Sequence, residues 1–178
     1  KCMIYRGAAC GYTHLVTDRK GEYTKLADAI PGSKVLRFGE GSKVFINPLD
    51  KSMDLNTQRD LVASMTITAM GSARATLNIK ESSLLMEAII DAHRGFAGKN
   101  TSDVATLPVV VEKLLNPSAE MADAMQRTVE YLKEEGYEMA LALRRLTDTD
   151  LKGMFHQPTT AGLFDEDTPL LVMNCEGV

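Results

Sequence analysis

A short, compact apolar run near the end of the chain, Pro169-Leu170-Leu171-Val172-Met173, closed by Asn174, constrains the fold more than any other feature. It follows the acidic turn Asp165-Glu166-Asp167 and shows no polar alternation, so it reads as a strand buried on both faces. Such a strand needs neighbours, and the candidates stand at the opposite end of the chain. Thr13-His14-Leu15-Val16-Thr17 ends at Asp18, Lys34-Val35-Leu36-Arg37-Phe38 ends in the turn Gly39-Glu40-Gly41-Ser42, and Val44-Phe45-Ile46 ends at Asn47-Pro48. Helices are expected from Lys1 to Cys10, stopped by Gly11, and from Tyr23 to Ile30, broken by Pro31-Gly32. The first third therefore reads as αβαββ.

Between these strands the period changes. Leu55, Leu61, Val62, Met65 and Met70 fall near a 3.6-residue repeat, as do Leu84, Leu85, Ala88, Ile89 and Ala92. Further helices are expected at Pro108 to Leu115, Ala119 to Glu135 and Tyr137 to Leu146, separated by Asn116-Pro117 and Gly136. The expected organisation is an α/β part over residues 1–52, a five-helix insert over 53–160, and a return strand to the α/β part within 161–178.

Composition narrows the class. At roughly 150 residues per domain, 178 residues make one compact unit or one domain with an insertion. A chain 44% apolar and 25% charged is an ordinary globular one, and a net charge of −4 argues against a surface coated for polyanions. Charge is uneven: residues 1–52 carry nine basic and five acidic side chains, and residues 101–178 six and fourteen. No stretch approaches the roughly 18 apolar residues of a membrane span, and no signal-peptide core opens the chain. Cys2, Cys10 and Cys175 form no CxxC pair, so a disulfide framework or structural zinc is not encoded, and a reducing cytoplasm fits best. His14, His93 and His156 have no metal-ligand spacing. The opening at Lys1, without Met and inside a helical pattern, reads as a piece of a longer protein.

Chemistry is expected where β-strands end. Asp18-Arg19-Lys20-Gly21-Glu22-Tyr23 is an acidic and basic loop between a strand and a helix, and in open α/β sheets ligands bind beyond the carboxyl ends of strands. Asp18, Lys20 and Glu22 are the candidate residues for the vicinity of a nucleotide and its Mg²⁺. A structural reading stands beside this one, with Asp18 ahead of a helix N-terminus and Lys20 in water.

Asp18-x-Lys20-Gly21-Glu22-Tyr23, followed by Ile46-Asn47-Pro48-Leu49-Asp50, resembles the conjugative DNA-transfer ATPases of type IV secretion systems, which are similar to the FtsK and HerA pumping motors. Ala73 to Ala92, Thr106 to Pro117 and Leu170 to Gly177 resemble that family's later blocks. The resemblance implies a partial RecA-like P-loop core with a helical insert, ATP and Mg²⁺ in the full-length protein, and a homo-oligomeric ring. It also implies other secretion proteins as partners, DNA passing through the ring, and a place at the cytoplasmic face of the plasma membrane.

Two departures matter. No G-x-x-x-x-G-K-[ST] run exists to cradle phosphates, and Met173-Asn174-Cys175-Glu176, the nearest approach to an acidic strand end, has Asn where an acid would stand. The fragment alone is therefore expected to be inactive and to hold no cofactor. Two alternatives remain: a non-enzymatic helical interaction domain on a small α/β scaffold, and a Rossmann-like enzyme, which lacks its Gly-rich turn. Asn47-Pro48 has a structural reading as a turn that redirects the chain. Arg144-Arg145 reads as helix C-terminal charge, whereas Lys20, Lys25, Lys34, Arg37 and Lys43 supply the basic side chains a ring channel would use.

Overall fold

The computed structural model describes residues 1–38, 43–71, 75–97, 104–162 and 167–176. The turn Gly39-Glu40-Gly41-Ser42, residues Asp165-Glu166, and Ala73 and Gly177 at the ends of two resembling blocks lie outside the described residues. The chain divides into two units, Lys1–Phe45 with Thr159–Val178, and Ile46–Pro158.

The first unit is α/β. Three strands, β1 (His14–Asp18), β2 (Lys34–Arg37) and β3 (Leu170–Asn174), pair in parallel in the order β1-β3-β2. The apolar run at the end of the chain is thus the central strand, and Leu170 and Val172 are fully buried. Register places Val16, Val172 and Val35 in one row and Asp18, Asn174 and Arg37 in the last row at the carboxyl edge. In-register parallel neighbours share a face, and helix α2 (Thr24–Asp28) covers this one, with Ala27 and Ile30 packed on Leu170 and Val172. Helix α1 (Cys2–Ala9) buries none of its residues fully and lies on His14; a Cβ at Gly7 would stand 2.3 Å from His14 Nε2. Only a glycine permits that approach.

Val44-Phe45-Ile46 does not form the expected third early strand. Phe45 exchanges hydrogen bonds with Thr160, whereas the Ile46 N–H donates to the Met154 carbonyl, so consecutive residues serve different partners and no ladder extends.

The second unit is helical: α3 (Leu55–Met70), α4 (Ile79–Arg94), α5 (Leu107–Leu115), α6 (Ala119–Met125) and α7 (Val129–Arg145), which continues into a π-helical turn, Leu146–Asp150. Side chains cap the starts: Asp54 accepts from the Asn56 and Thr57 N–H groups, Asn78 and Glu81 form a reciprocal capping box, and Ser118 and Thr128 cap α6 and α7. Val62, Leu84, Ile89, Leu107, Leu114 and Leu143 are among its fully buried side chains.

Two boundaries differ from the sequence expectation. The break falls at Gln126, whose φ of 52° is left-handed, and not at Gly136. Gly136 lies inside α7, where a Cβ would meet the Leu114 carbonyl oxygen at 3.2 Å and Leu84 Cδ2 at 3.3 Å. This glycine serves close packing of α7 on its neighbours.

Candidate functional site

The Asp18 carboxylate organises the loop after β1. Its Oδ1 accepts from the Lys20 and Glu22 N–H groups, both at 3.2 Å, and its Oδ2 from the Tyr23 N–H at 2.8 Å. Burial of Asp18 raises its pKa, but backbone hydrogen bonds from Tyr23, Lys20, Glu22 and Gly21 outweigh that and hold the carboxyl below its ordinary 3.8. A carboxylate so engaged shapes the loop. Gly21 turns it at a φ of +68°, and Tyr23 then becomes the N-cap residue of α2.

Beyond the carboxyl ends of the strands lies a cleft of about 640 Å³, lined by Gly21 of the loop, Thr24, Lys25 and Asp28 of α2, Arg37 and Phe38 at the end of β2, and Asn174 and Glu176 at the end of β3. The Cys175 N–H donates to the Asp18 carbonyl at 2.8 Å and the Phe38 N–H to the Asn174 carbonyl at 3.0 Å, so the three strand ends are tied together. Asn174 Oδ1 accepts from the Glu176 N–H at 2.8 Å. A Cβ on Gly21 would stand 2.5 Å from Glu176 Oε2, so the absence of a side chain lets that carboxylate lie against the loop.

Of the residues expected from sequence, Asp18 is buried beneath the loop, while Lys20 and Glu22 are exposed and are not among the residues lining the cleft. Thr24, Asp28 and Phe38 carried no sequence signal as site residues. Lys25 and Arg37 stood out only as basic residues, and Asn174 and Glu176 only as an incomplete acidic strand end. Their meeting depends on the pairing of β3 with both early strands.

Ile46-Asn47-Pro48-Leu49-Asp50 is built into the second unit. Asn47 is 2% exposed, its Nδ2 donates to the Ala105 carbonyl at 2.9 Å, its Oδ1 accepts from the Leu49 N–H, and Leu49 is fully buried. Arg144 and Arg145 pair with Asp148 and Asp150 of the π-helical turn, each at 3.2 Å. Lys34 Nζ donates to the Gly162 carbonyl. Among the described residues no three His, Cys, Asp or Glu side chains gather into a metal-binding group, and no helix is long and apolar enough to cross a membrane.

No protein-family model matches the chain, and no curated protein does. Among solved structures, VirB4 of Thermoanaerobacter pseudethanolicus is similar, with a TM-score of 0.60 and 15% identity over 98% of this chain. The chain spans 45% of the VirB4 chain, less than half of it. At that identity the likeness is one of fold.

Proposed function

We propose that the chain is the middle part of an ATP-driven motor of a type IV secretion or conjugative-transfer system. One observation carries the reading: the fold likeness to VirB4 runs over 98% of the chain, so it takes in the strands, the helical unit and the returning strand together. The D-x-K-G-E-Y loop and the I-N-P-L segment, on which the resemblance to these ATPases rests, fall at the sheet's carboxyl edge and at the start of the helical unit. In this reading the first unit is part of a RecA-like core and the helical unit is its insert. ATP and Mg²⁺ bind only when the phosphate loop upstream of α1 is present, and subunits assemble into a ring that moves DNA or protein at the cytoplasmic membrane face.

The chemistry of the residues fits part of a nucleotide site. The cleft offers Lys25, Arg37 and an amide donor to phosphate oxygens, while no phosphate loop and no metal-ligand cluster occur among the described residues. Asp18 shapes the loop, and Lys20 and Glu22 extend from it, within reach of a nucleotide held by the completed core or by a neighbouring subunit. The helical unit acts as a partner-binding module: Arg144 and Arg145, which would otherwise attract a phosphate backbone, are paired with acids. Lys20→Ala and Glu22→Gln in a version of the chain extended upstream through the phosphate loop test the assignment. ATP turnover falling at least tenfold in both variants, with unchanged folding, is expected; full turnover in both contradicts a role for this loop. Tight DNA binding by the 178-residue chain at physiological salt would contradict the partner-module role.

A further inference from the structure

We infer that copies of this chain associate head to tail, the outer face of α7 on one copy docking the outer face of α1 on the next. The inference rests on the ring in the reading above and names the faces that build it.

Between Val129 and Leu143, α7 carries Glu130, Glu134, Glu135 and Glu138 against Lys133 alone. Leu132, Gly136, Met139, Ala140 and Leu143 turn into the core. The 3.6-residue period then sets Tyr137 and Leu141, one turn apart, on the opposite face, where they are 50% and 44% accessible. Glu130, Glu134 and Glu138 run beside them at four-residue spacing, and like charges so placed repel. None of the three has an ion pair among the described residues, whereas Arg144 and Arg145 at the end of the same helix are paired. Single exposed apolar residues are ordinary on a protein surface. An apolar pair edged by an unpaired acidic ladder is a face that a basic and apolar surface complements.

The chain itself carries such a surface. No acidic residue precedes Asp18, so α1 has none. Ile4 and Ala8 pack on the sheet cluster and Gly7 lies on His14, which leaves Met3, Tyr5 and Arg6 outward, with Met3 85% and Tyr5 52% accessible. Arg6 also has no ion pair among the described residues. The two complementary faces thus belong to different units of one sequence. A contact between unlike faces is heterologous, so each copy added leaves one face of each kind free, and a ring forms where the rotation closes. A helix of eight residues buries little area, so the contact is weak between two free chains and gains strength on closure.

The test is sedimentation velocity and amide chemical shifts of the 178-residue chain from about 0.05 to about 1 mM, under reductant so that Cys2 and Cys10 stay thiols. Association is expected to grow with concentration, to shift the amides of Met3, Arg6, Tyr137 and Leu141, and to weaken as salt rises from about 0.05 to about 0.5 M. Arg6→Glu in one variant, and Glu134→Lys with Glu138→Lys in another, change exposed side chains and should each lower association roughly tenfold. An equimolar mixture of the two variants should restore it, because each reversed face then meets its complement. A chain that stays monomeric at about 1 mM, association that ignores Arg6→Glu, or no recovery in the mixture would overturn the inference. Mg-ATP binding by the upstream-extended chain beside any of those three results would leave the motor reading intact. Recovery in the mixture without that binding would support the interface and count against the motor.

Discussion

The two units are built to different depths. The helical unit closes on a contiguous cluster of nineteen buried apolar residues, from Leu49 to Phe155, whereas the sheet unit's cluster has four, Ala27, Ile30, Leu170 and Val172. Exposed apolar side chains occur in both units, Met3, Tyr5, Tyr12 and Leu15 in the sheet unit and Leu55, Leu61, Ile79, Tyr137 and Leu141 in the helical unit, so the difference lies in the buried clusters. The helical unit takes its core from one continuous stretch of chain. The sheet unit takes its central strand from the far end, so its few buried residues must hold together segments brought from both sides of the helical unit. Ligand sites belong to the less densely held part, where strand ends and loops present polar groups, and the helical unit supplies a rigid body.

The sharpest way to break the comparison is to make one change in both cores. Leu170 and Leu143 are each fully buried, and truncation to Ala costs about 3 kcal/mol at such positions. Leu170→Ala is expected to remove the cooperative structure of the sheet unit and leave the helical unit folded. Leu143→Ala should lower the urea midpoint of the helical unit without unfolding it. Methyl signals of Val16 and Val110, followed through urea, separate the two; loss of both units together in either variant would contradict their independence.

A smaller effect is expected from Gly7→Ala, because the new Cβ would stand 2.3 Å from His14 Nε2. Helix α1 should leave the sheet, seen as faster amide exchange over Cys2–Ala9, with the helical unit unchanged. Smaller again, Thr128→Ala removes the acceptor of the Tyr131 N–H at the start of α7 and should cost the helical unit about 1 kcal/mol in denaturant unfolding.

The smallest effects are those of pH: the helical unit carries one near neutrality, from His93, while both units carry them in the acid range, where Asp54 and Asp148 as well as Asp18 are held below 3.8. His93 lies below its ordinary 6.5 because burial and the nearby Lys51 charge disfavour its protonated form. The unfolded chain therefore takes up the proton first, so the helical unit keeps its full stability above about pH 6.5 and loses some as pH falls below it. Asp18 is held below 3.8, so the sheet unit keeps that contribution above the ordinary carboxylate range and loses it as pH falls through 3.8 and lower. Unfolding followed from pH 8 to 3 should show the helical unit weakening first, and His93→Gln should remove the loss that sets in below pH 6.5. Gln58 donates both amide hydrogens to the Asp50 and Met53 carbonyls, so its Oε1 accepts from His93 Nε2–H, and a glutamine amide supplies the same donor.

Much of the fold was legible. Apolar runs at Leu15-Val16, Val35-Leu36 and Leu170–Met173 name the three strands, and the 3.6-residue period names α3 and α4, because burial imposes those repeats. The helix break was misplaced because glycine marks two different things: a chain end, and a place where another backbone comes close. Gly136 is the second kind, and nothing in the side chain of Gln126 announces a left-handed residue. Ser118 and Thr128 were the available signals for the true starts of α6 and α7.

The site was legible as a place and not as a set of residues. The strand-end loop was visible in Asp18 to Tyr23. That Asp18 would spend its oxygens on its own loop, and that Asn174 would stand beside it, depended on hydrogen bonds and a register set by tertiary pairing. Lys25 and Arg37 looked like scattered basic residues until the sheet aligned them on one cleft.

The most direct measurement is Mg-ATP calorimetry on the 178-residue chain and on a version extended upstream through the next strand and loop. A motor fragment predicts micromolar binding by the extended chain and none at that strength by the 178 residues alone. Absence of binding by the extended chain, assembled at concentrations where rings form, would contradict the motor reading and leave a helical interaction domain on a small α/β scaffold.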